Sequence, residues 1–226
     1  MDKTMFEQTK LLILDLDGTI ADTLGALNEA VNATMRKYHW PERTYEDVRL
    51  AIGNGARKLI ERSMPAPFSS DPDLVSAVLK EYDKQYGLTY MHTDTCYPGM
   101  KESLMELAGR GYTFAVLSNK QDLYTKKLIA QLLGDLPALV MGQTDLPKKP
   151  DPTVPLLIAE KLGFSSQESA MVGDSDVDIL TGQNAGMLTV GCAWGFRGRA
   201  CLESVHADII ADHPSDLLGL FGGVRP

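Results

Sequence analysis

Short apolar runs separated by longer stretches with helical spacing constrain the fold of this chain more than any other feature. The first run, Leu11-Leu12-Ile13-Leu14, is uninterrupted, as in a strand buried on both faces of a parallel sheet. Similar runs follow at 114–117, 139–141, 170–172, 188–190 and 209–210. Between most of them, apolar residues recur on one face of a predicted helix. The alternation predicts an α/β fold, a Rossmann-like parallel sheet with helices on both faces.

One long stretch interrupts this alternation. Between Thr23 and about Thr93 we predict no strand, but three apolar stripes with helical spacing begin at Leu24, Ala56 and Leu74. A loop rich in proline and serine separates the last two stripes. We therefore predict a small all-helical domain of residues 22–94, inserted after the first strand of a core domain made of residues 1–21 and 95–226.

Composition excludes several classes of protein. Hydrophobic residues make up 44% and charged residues 23%, as in a globular protein rather than a disordered one. The net charge of -8 disfavours nucleic-acid binding, although one local cation is enough for a small phosphate ester. The three cysteines are too few and scattered for a disulfide framework or a zinc motif.

The sequence leads us to expect neither an export signal nor a membrane-spanning helix. The N-terminus has acids where a signal peptide needs bases, and no run approaches the ~18 apolar residues of a membrane helix. An odd number of thiols fits a reducing compartment. We expect a cytoplasmic protein, a monomer or homodimer, with a small-molecule substrate and with neither nucleic acid nor membrane as a partner.

Acidic residues follow two of the predicted strands. Asp15 and Asp17 come directly after the first strand, two residues apart, so both carboxylates can point to the same side. Asp174 and Asp178 follow the run at 170–172 and share a face if a helix begins there. Ligands of open parallel sheets bind beyond the carboxyl ends of the strands. An ordinary Asp-Gly turn and an acidic helix N-terminus are the structural alternatives.

Two further stretches offer groups that bind phosphate. Ser118 and Asn119 follow the run at 114–117, where a hydroxyl and an amide can donate to a phosphate oxygen. Lys149 lies between Lys148 and Pro150, in a predicted rigid loop before a helix that would hold a cation in place. Taken alone, these lysines also fit a solvated basic turn.

The order of these four stretches resembles that of the haloacid dehalogenase superfamily, over residues 11 to about 190. The helical insertion is similar to the small cap of that family. The resemblance implies that Asp15 is the nucleophile, forming an aspartyl-phosphate, and that Asp17 is the general acid and then the base. It also implies that Asp15, the backbone carbonyl of Asp17 and Asp174 ligate Mg²⁺ and that Asp178 holds metal-bound water. Ser118 and Lys149 are the phosphate-binding residues that it implies, and Asn119 is added to them from its position at the strand end.

Charge balance supports a divalent cation independently of the resemblance. The four acids bring up to four negative charges, and two such charges ~4 Å apart repel by about 4 kcal/mol at an effective dielectric constant of ~20. A divalent cation and Lys149 supply three positive charges, and a protonated Asp17 removes the fourth negative one. Oxygen ligands with open water positions suit Mg²⁺ better than zinc.

The helical insertion contains one stretch that bears on substrate choice. Gly53, Asn54 and Gly55 precede a predicted helix, where backbone N–H groups can approach an anion, and Arg57 could meet a substrate carboxylate. A plain turn and a solvated charge are the alternatives. The stretch resembles one in phosphoglycolate phosphatases. We predict a Mg²⁺-dependent phosphatase of small phosphate monoesters, with 2-phosphoglycolate as a candidate substrate; the alternative is a sugar-phosphate phosphomutase of the beta-phosphoglucomutase type.

Overall fold

The computed structural model describes residues 7–93 and 95–222, which contain a six-stranded parallel sheet. Each strand contains one of the predicted apolar runs: β1 (Leu11–Leu14), β2 (Thr113–Gln121), β3 (Leu139–Gln143), β4 (Ser169–Gly173), β5 (Leu188–Cys192) and β6 (Ile209–Ala211). The spatial order is β3-β2-β1-β4-β5-β6, so chain order runs outwards in both directions from β1. The carboxyl ends of β2, β1 and β4 are therefore neighbours at the point where ligands of such sheets bind.

Helices fill the described segment between β1 and the helix before β2. They are α1 (Leu24–Lys37), α2 (Tyr45–Ala51), α3 (Ala56–Ser63) and α4 (Pro72–Thr89). Side chains from all four form one buried cluster separate from those of the sheet. Helix α2 was not predicted, because its two turns bury only Val48 and Ala51. A capping box between Thr44 and Asp47 is the local signal for it.

The inserted helices are the cap anticipated from the family resemblance. The domain boundaries themselves, at residues 22 and 94, stay a prediction. Asp94 lies outside the described residues, as do the ends of the predicted core domain at 1–6 and 223–226.

Helices also cover both faces of the sheet, as predicted. They are α5 (Met100–Gly109), α6 (Asp122–Leu133), α7 (Thr153–Leu162), α8 (Asp176–Asn184), α9 (Gly198–Ser204) and α10 (Leu217–Leu220). Alternate residues of β1 point to opposite faces. Leu12 and Leu14 pack in a cluster with α5 and α6, whereas Leu11 and Ile13 pack with α7. All four are fully buried, which explains the uninterrupted apolar run.

No helix among residues 7–93 and 95–222 combines the length and the hydropathy needed to cross a membrane.

Candidate active site

Three carboxylates converge at the carboxyl ends of β1 and β4. Asp15 follows β1, Asp174 follows β4, and Asp178 lies in the first turn of α8; all three are buried. Each offers an oxygen within 4.8 Å of those of the other two. Ser175 is the N-cap of α8, and its hydroxyl and N–H donate to Asp178 Oδ2 at 2.6 and 3.1 Å. This capping box holds Asp178 towards the other two acids.

Glycines make room for these carboxylates. A Cβ on Gly18 would lie 2.4 Å from Asp174 Oδ2, and one on Gly195 would lie 2.2 Å from Asp174 Cβ. A Cβ on Gly173 would lie 2.3 Å from Asp178 Cγ. Gly18 also has a φ of +82°, a conformation that a residue with a Cβ rarely adopts. The carboxylates therefore pack directly against the backbone of the loops after β1 and β5 and of the end of β4.

Lys149 is the cation of this cluster. Its Nζ lies 2.9 Å from Asp15 Oδ1 and 2.6 Å from Asp178 Oδ1, and its side chain is 2% exposed. The Asn119 amide holds the lysine backbone, since Asn119 Oδ1 accepts from Lys149 N–H at 3.0 Å and Nδ2 donates to Lys149 O at 3.1 Å. Asn119 Nδ2 also donates to Gly53 O in the cap.

The structure thus gives the Asn119 amide a different use from the expected one. Its hydrogen bonds go to the backbone around Lys149 and Gly53, because the loop that carries the lysine passes directly beside the end of β2. The Ser118 hydroxyl accepts from the Lys120 N–H at 3.3 Å, and Ser118 lines the cavity described below. Its phosphate-binding role stays a prediction.

Burial governs the electrostatics of the acidic cluster. Desolvation raises the pKa of Asp15 to about 7, with Lys149 opposing the shift and the charges of Asp178 and Asp17 adding to it. Desolvation also raises the pKa of Asp174 well above its usual value, helped by Asp178 and Asp15. Although burial opposes it, the pKa of Lys149 is raised by the charges of Asp15 and Asp178.

These residues fit a Mg²⁺ ion. Within the described residues, Lys149 contacts two of the three buried carboxylates, so the cluster carries more negative than positive charge when all three acids are ionised. A divalent cation would offset that excess, and carboxylate oxygens are the ligands that Mg²⁺ prefers.

The Asp17 carboxylate contacts a hydroxyl and an ammonium group outside the acidic cluster. Its Oδ1 accepts from the Thr23 hydroxyl at 2.6 Å and lies 2.9 Å from Lys120 Nζ. It is not part of the cluster whose carboxylate oxygens converge, which agrees with the expectation that its backbone, and not its side chain, faces the metal. That backbone role stays a prediction. The Asp17 side chain therefore has its partners beside the cap and not in the acidic cluster.

An open cavity of about 740 Å³ lies between the sheet edge and the cap. Its walls include the core residues Asp15, Asp17, Ser118, Asn119, Lys149, Asp174 and Asp178, and the cap residues Gly53 and Gly55. Asn54 and Arg57 are not among the lining residues. Asn54 Oδ1 accepts from Arg62, and Arg57 contacts Glu61 at 3.2 Å and Ser76 at 3.1 Å. Arg57 thus pairs with the acid one helical turn away.

Three further residues of this cavity were not among the site residues predicted from the sequence. Lys120 and Tyr86 meet beside Asp17, with Lys120 Nζ 2.8 Å from Tyr86 Oη. Phe196 N–H donates to Asp174 Oδ2 at 2.7 Å, its carbonyl accepts from Arg49 of the cap, and its ring packs in the cap cluster. Lys120 adjoins Ser118 and Asn119 in the sequence, which is the one local signal for it.

Comparisons with known proteins identify the family of this chain. The chain matches the family model for haloacid dehalogenase-like hydrolases over residues 12–192. It is 30% identical over 227 residues to a phosphoglycolate phosphatase of Aliivibrio fischeri, covering 98% of this chain and 100% of that one. It is 33% identical over 218 residues to a phosphoglycolate phosphatase of Vibrio vulnificus, covering 94% and 96%.

Among solved structures, a predicted phosphoglycolate phosphatase from Haemophilus somnus superposes with a TM-score of 0.87 at 27% identity, covering 94% of this chain and 98% of that one. The sequence match and the structural match both span nearly the whole chain, cap included. The resemblance noted from the motifs is confirmed, and the chain belongs to the haloacid dehalogenase-like hydrolases, as a phosphoric monoester hydrolase.

Proposed function

We propose that this protein is a Mg²⁺-dependent phosphatase that hydrolyses small phosphate monoesters through an aspartyl-phosphate on Asp15. The observation that carries the proposal is the buried cluster of Asp15, Asp174 and Asp178, with converging oxygens and with Lys149 in contact with two of them. The curated relatives described above are named phosphoglycolate phosphatases, which makes 2-phosphoglycolate the candidate substrate. The same names favour hydrolysis over the phosphomutase alternative.

Asp15, Asp174, Asp178 and the backbone carbonyl of Asp17 are the groups that would hold Mg²⁺. When bound, the ion supplies a Lewis acid that offsets the repulsion between the Asp15 carboxylate and the phosphate dianion. Lys149 and the Ser118 hydroxyl bind the oxygens of the phosphoryl group and keep phosphorus in line with Asp15. Asn119 contributes indirectly, because it fixes the backbone of Lys149.

In the first step, an oxygen of Asp15 forms a bond to phosphorus while the bond to the ester oxygen breaks. Asp17 donates its proton to that oxygen, and the alcohol leaves. In the second step, Asp17 takes a proton from water, and the water oxygen attacks phosphorus. The bond between phosphorus and the Asp15 oxygen breaks, so inorganic phosphate is released and the Asp15 carboxylate is restored.

We also propose that residues 22–94 act as a cap that limits access of water and selects the alcohol. Support comes from Gly53, Gly55 and Tyr86, which line the cavity from the cap side. Contacts between cap and core, such as the hydrogen bond from Asn119 to Gly53 O, also support this role, because they join the cap to the loop that carries Lys149.

A phosphate-release assay on 2-phosphoglycolate, p-nitrophenyl phosphate and a panel of sugar phosphates tests the proposal. We expect turnover with Mg²⁺, none in EDTA, and recovery when Mg²⁺ is restored. We expect Asp15→Asn to retain less than a few per cent of the wild-type activity while keeping its fold, because only the attacking oxygen changes. Asp135→Asn, at an exposed position outside the site, is the matched control. Full activity in chelator or in Asp15→Asn would refute the metal or the nucleophile, respectively.

A further inference from the structure

The cavity wall beside Asp17 contains a buried cation that the steps above do not use. Lys120 lies at the carboxyl end of β2, and its side chain is 5% exposed. Its Nζ is 2.9 Å from Asp17 Oδ1, 2.8 Å from Tyr86 Oη and 4.7 Å from the centre of the Tyr86 ring. The ammonium group therefore lies between the proposed proton donor and helix α4 of the cap.

Asp17 has a second, neutral partner. The Thr23 hydroxyl donates to Asp17 Oδ1 at 2.6 Å, so the carboxyl group is held without the lysine. Burying an ammonium group costs free energy that a neutral hydrogen-bond donor would not. A charge in this position is therefore better explained by a charged ligand than by Asp17 alone.

The other cations of the described cavity wall are already engaged. Lys149 contacts Asp15 and Asp178 on the phosphoryl side. Arg49 contacts the carboxylate of Glu46 and the carbonyl of Phe196. The guanidinium of Arg197 donates to two cap carbonyls, those of Leu50 at 3.2 Å and Ile52 at 2.7 Å. Lys120 is the one that touches Asp17, where the ester oxygen of a substrate must arrive.

We propose that Lys120, together with the Tyr86 hydroxyl, binds a carboxylate on the leaving group and so selects phosphate esters of small 2-hydroxy acids. The inference rests on the proposed function, since Asp17 places the ester oxygen. In such esters the carboxyl carbon is two bonds from that oxygen, so an ester that reaches Asp17 brings its carboxylate to the neighbouring ammonium group. Salt-bridge hydrogen bonds to a carboxylate are strong and directional.

Apolar side chains on the cap side of the wall disfavour a leaving group with several hydroxyls. Leu27, Leu59 and Tyr82 line the cavity on the cap side and are buried. The two leucines have no groups to pair with the hydroxyls of a sugar, and the Tyr82 and Tyr86 rings stack at 5.7 Å beside Lys120. A short acid with one carboxylate satisfies the cation without leaving polar groups unpaired.

The wild-type enzyme provides the first test, with two esters of nearly equal size. In 2-hydroxyethyl phosphate, a CH₂OH group replaces the carboxylate of 2-phosphoglycolate. We expect kcat/KM to be at least about 100-fold higher for 2-phosphoglycolate, because a site built for a polar group strongly rejects the analogue that lacks it. Similar values for the two esters would overturn the proposal.

Variants then assign the discrimination to Lys120. Lys120→Met keeps the length of the side chain, and we expect it to lower kcat/KM for 2-phosphoglycolate about 100-fold or more, with a higher KM, but to change 2-hydroxyethyl phosphate less than about fivefold. Lys120→Arg should recover part of the preference. Lys126→Met, which removes an exposed charge from α6, should keep the full preference.

Each other outcome has a definite meaning. If Lys120→Met lowers kcat/KM equally for both esters, the lysine only positions Asp17. If only Arg197→Met abolishes the preference for 2-phosphoglycolate, Arg197 and not Lys120 binds the substrate carboxylate. If Lys120→Met does not fold, Tyr86→Phe decides, because it should weaken the preference without removing the ring. If the enzyme releases phosphate from p-nitrophenyl phosphate but does not prefer 2-phosphoglycolate over 2-hydroxyethyl phosphate, only the role of Lys120 is refuted. If it releases phosphate from no ester, the proposed function is refuted.

Discussion

Gly195 is a position where a single methyl group should disable the site. It follows β5 in a loop that passes over Asp174, and its φ lies outside the left-handed region that favours glycine. A Cβ there would lie 2.2 Å from Asp174 Cβ, 2.3 Å from Gly18 O and 2.6 Å from Asp174 Cγ. Gly195→Ala is therefore compatible with the backbone itself, and its effect comes from the collision with Asp174 and Gly18.

The size of the effect follows from these distances. Non-bonded carbon atoms settle about 3.5 Å apart, so the Asp174 side chain or the loop must move by about 1.3 Å. Metal sites tolerate ligand displacements of only about 0.2 Å, and a misplacement of about 1 Å costs roughly 10²-fold in rate. We expect kcat/KM to fall about 100-fold and Mg²⁺ affinity to fall about 10- to 100-fold. Overpacking should lower the free energy of unfolding by about 1–3 kcal/mol.

Mg²⁺ titration of the purified protein, by calorimetry and by initial rates, measures both quantities. Gly109→Ala is the matched control, because a Cβ at that helical position would have no heavy atom within 4 Å. It should leave activity unchanged and the protein as stable as the wild type or slightly more so. A cooperative urea-unfolding transition will serve as the check that Gly195→Ala is folded. Wild-type Mg²⁺ affinity and activity in folded Gly195→Ala would refute the assignment of Asp174 as a metal ligand held by this loop.

Two further predictions concern the acids and the loop around Lys149. Because burial raises the pKa of Asp15 to about 7, the folded metal-free protein binds a proton more tightly than the unfolded chain. Its free energy of unfolding in EDTA should therefore fall as pH rises from about 4 to about 7, and urea melts should show a weaker fall in Asp15→Asn; an identical pH dependence would contradict this reasoning. Asn119→Ala leaves the buried N–H and carbonyl of Lys149 without their partners and should cost about 2 kcal/mol of stability, together with activity. Unfolding and phosphate release at wild-type values would show that this amide does not hold the lysine loop.

Local patterns were enough to predict the sheet and the position of the acids. Strands β1 and β4 are buried on both faces and so appear as uninterrupted apolar runs. Parallel strands collect their carboxyl ends at one edge, so residues that follow them, such as Asp15 and Asp174, must come close together whatever the details of packing. Helix α2 escaped prediction because a two-turn helix with two buried residues has almost no periodicity.

The contacts around those acids depend on residues far apart in the chain. The sequence predicted the Asn119 amide as a phosphate ligand, but the amide hydrogen-bonds to the backbone of Lys149. It also predicted that Arg57 could bind a substrate carboxylate, but Arg57 pairs with Glu61. Arg49 and Phe196, which join the cap to the loop over Asp174, are 147 positions apart.

The amino-acid sequence by itself determined the fold class, the family and the acidic edge of the sheet, because burial and strand direction leave a signal within a few residues. Only the tertiary structure decided which side chains complete the cavity. Lys120 meets Tyr86 across the boundary between core and cap, and the glycines make room for carboxylates that come from other loops. Such contacts depend on how the cap packs on the sheet, and a local pattern along the chain does not encode the distance between residues that are far apart in it.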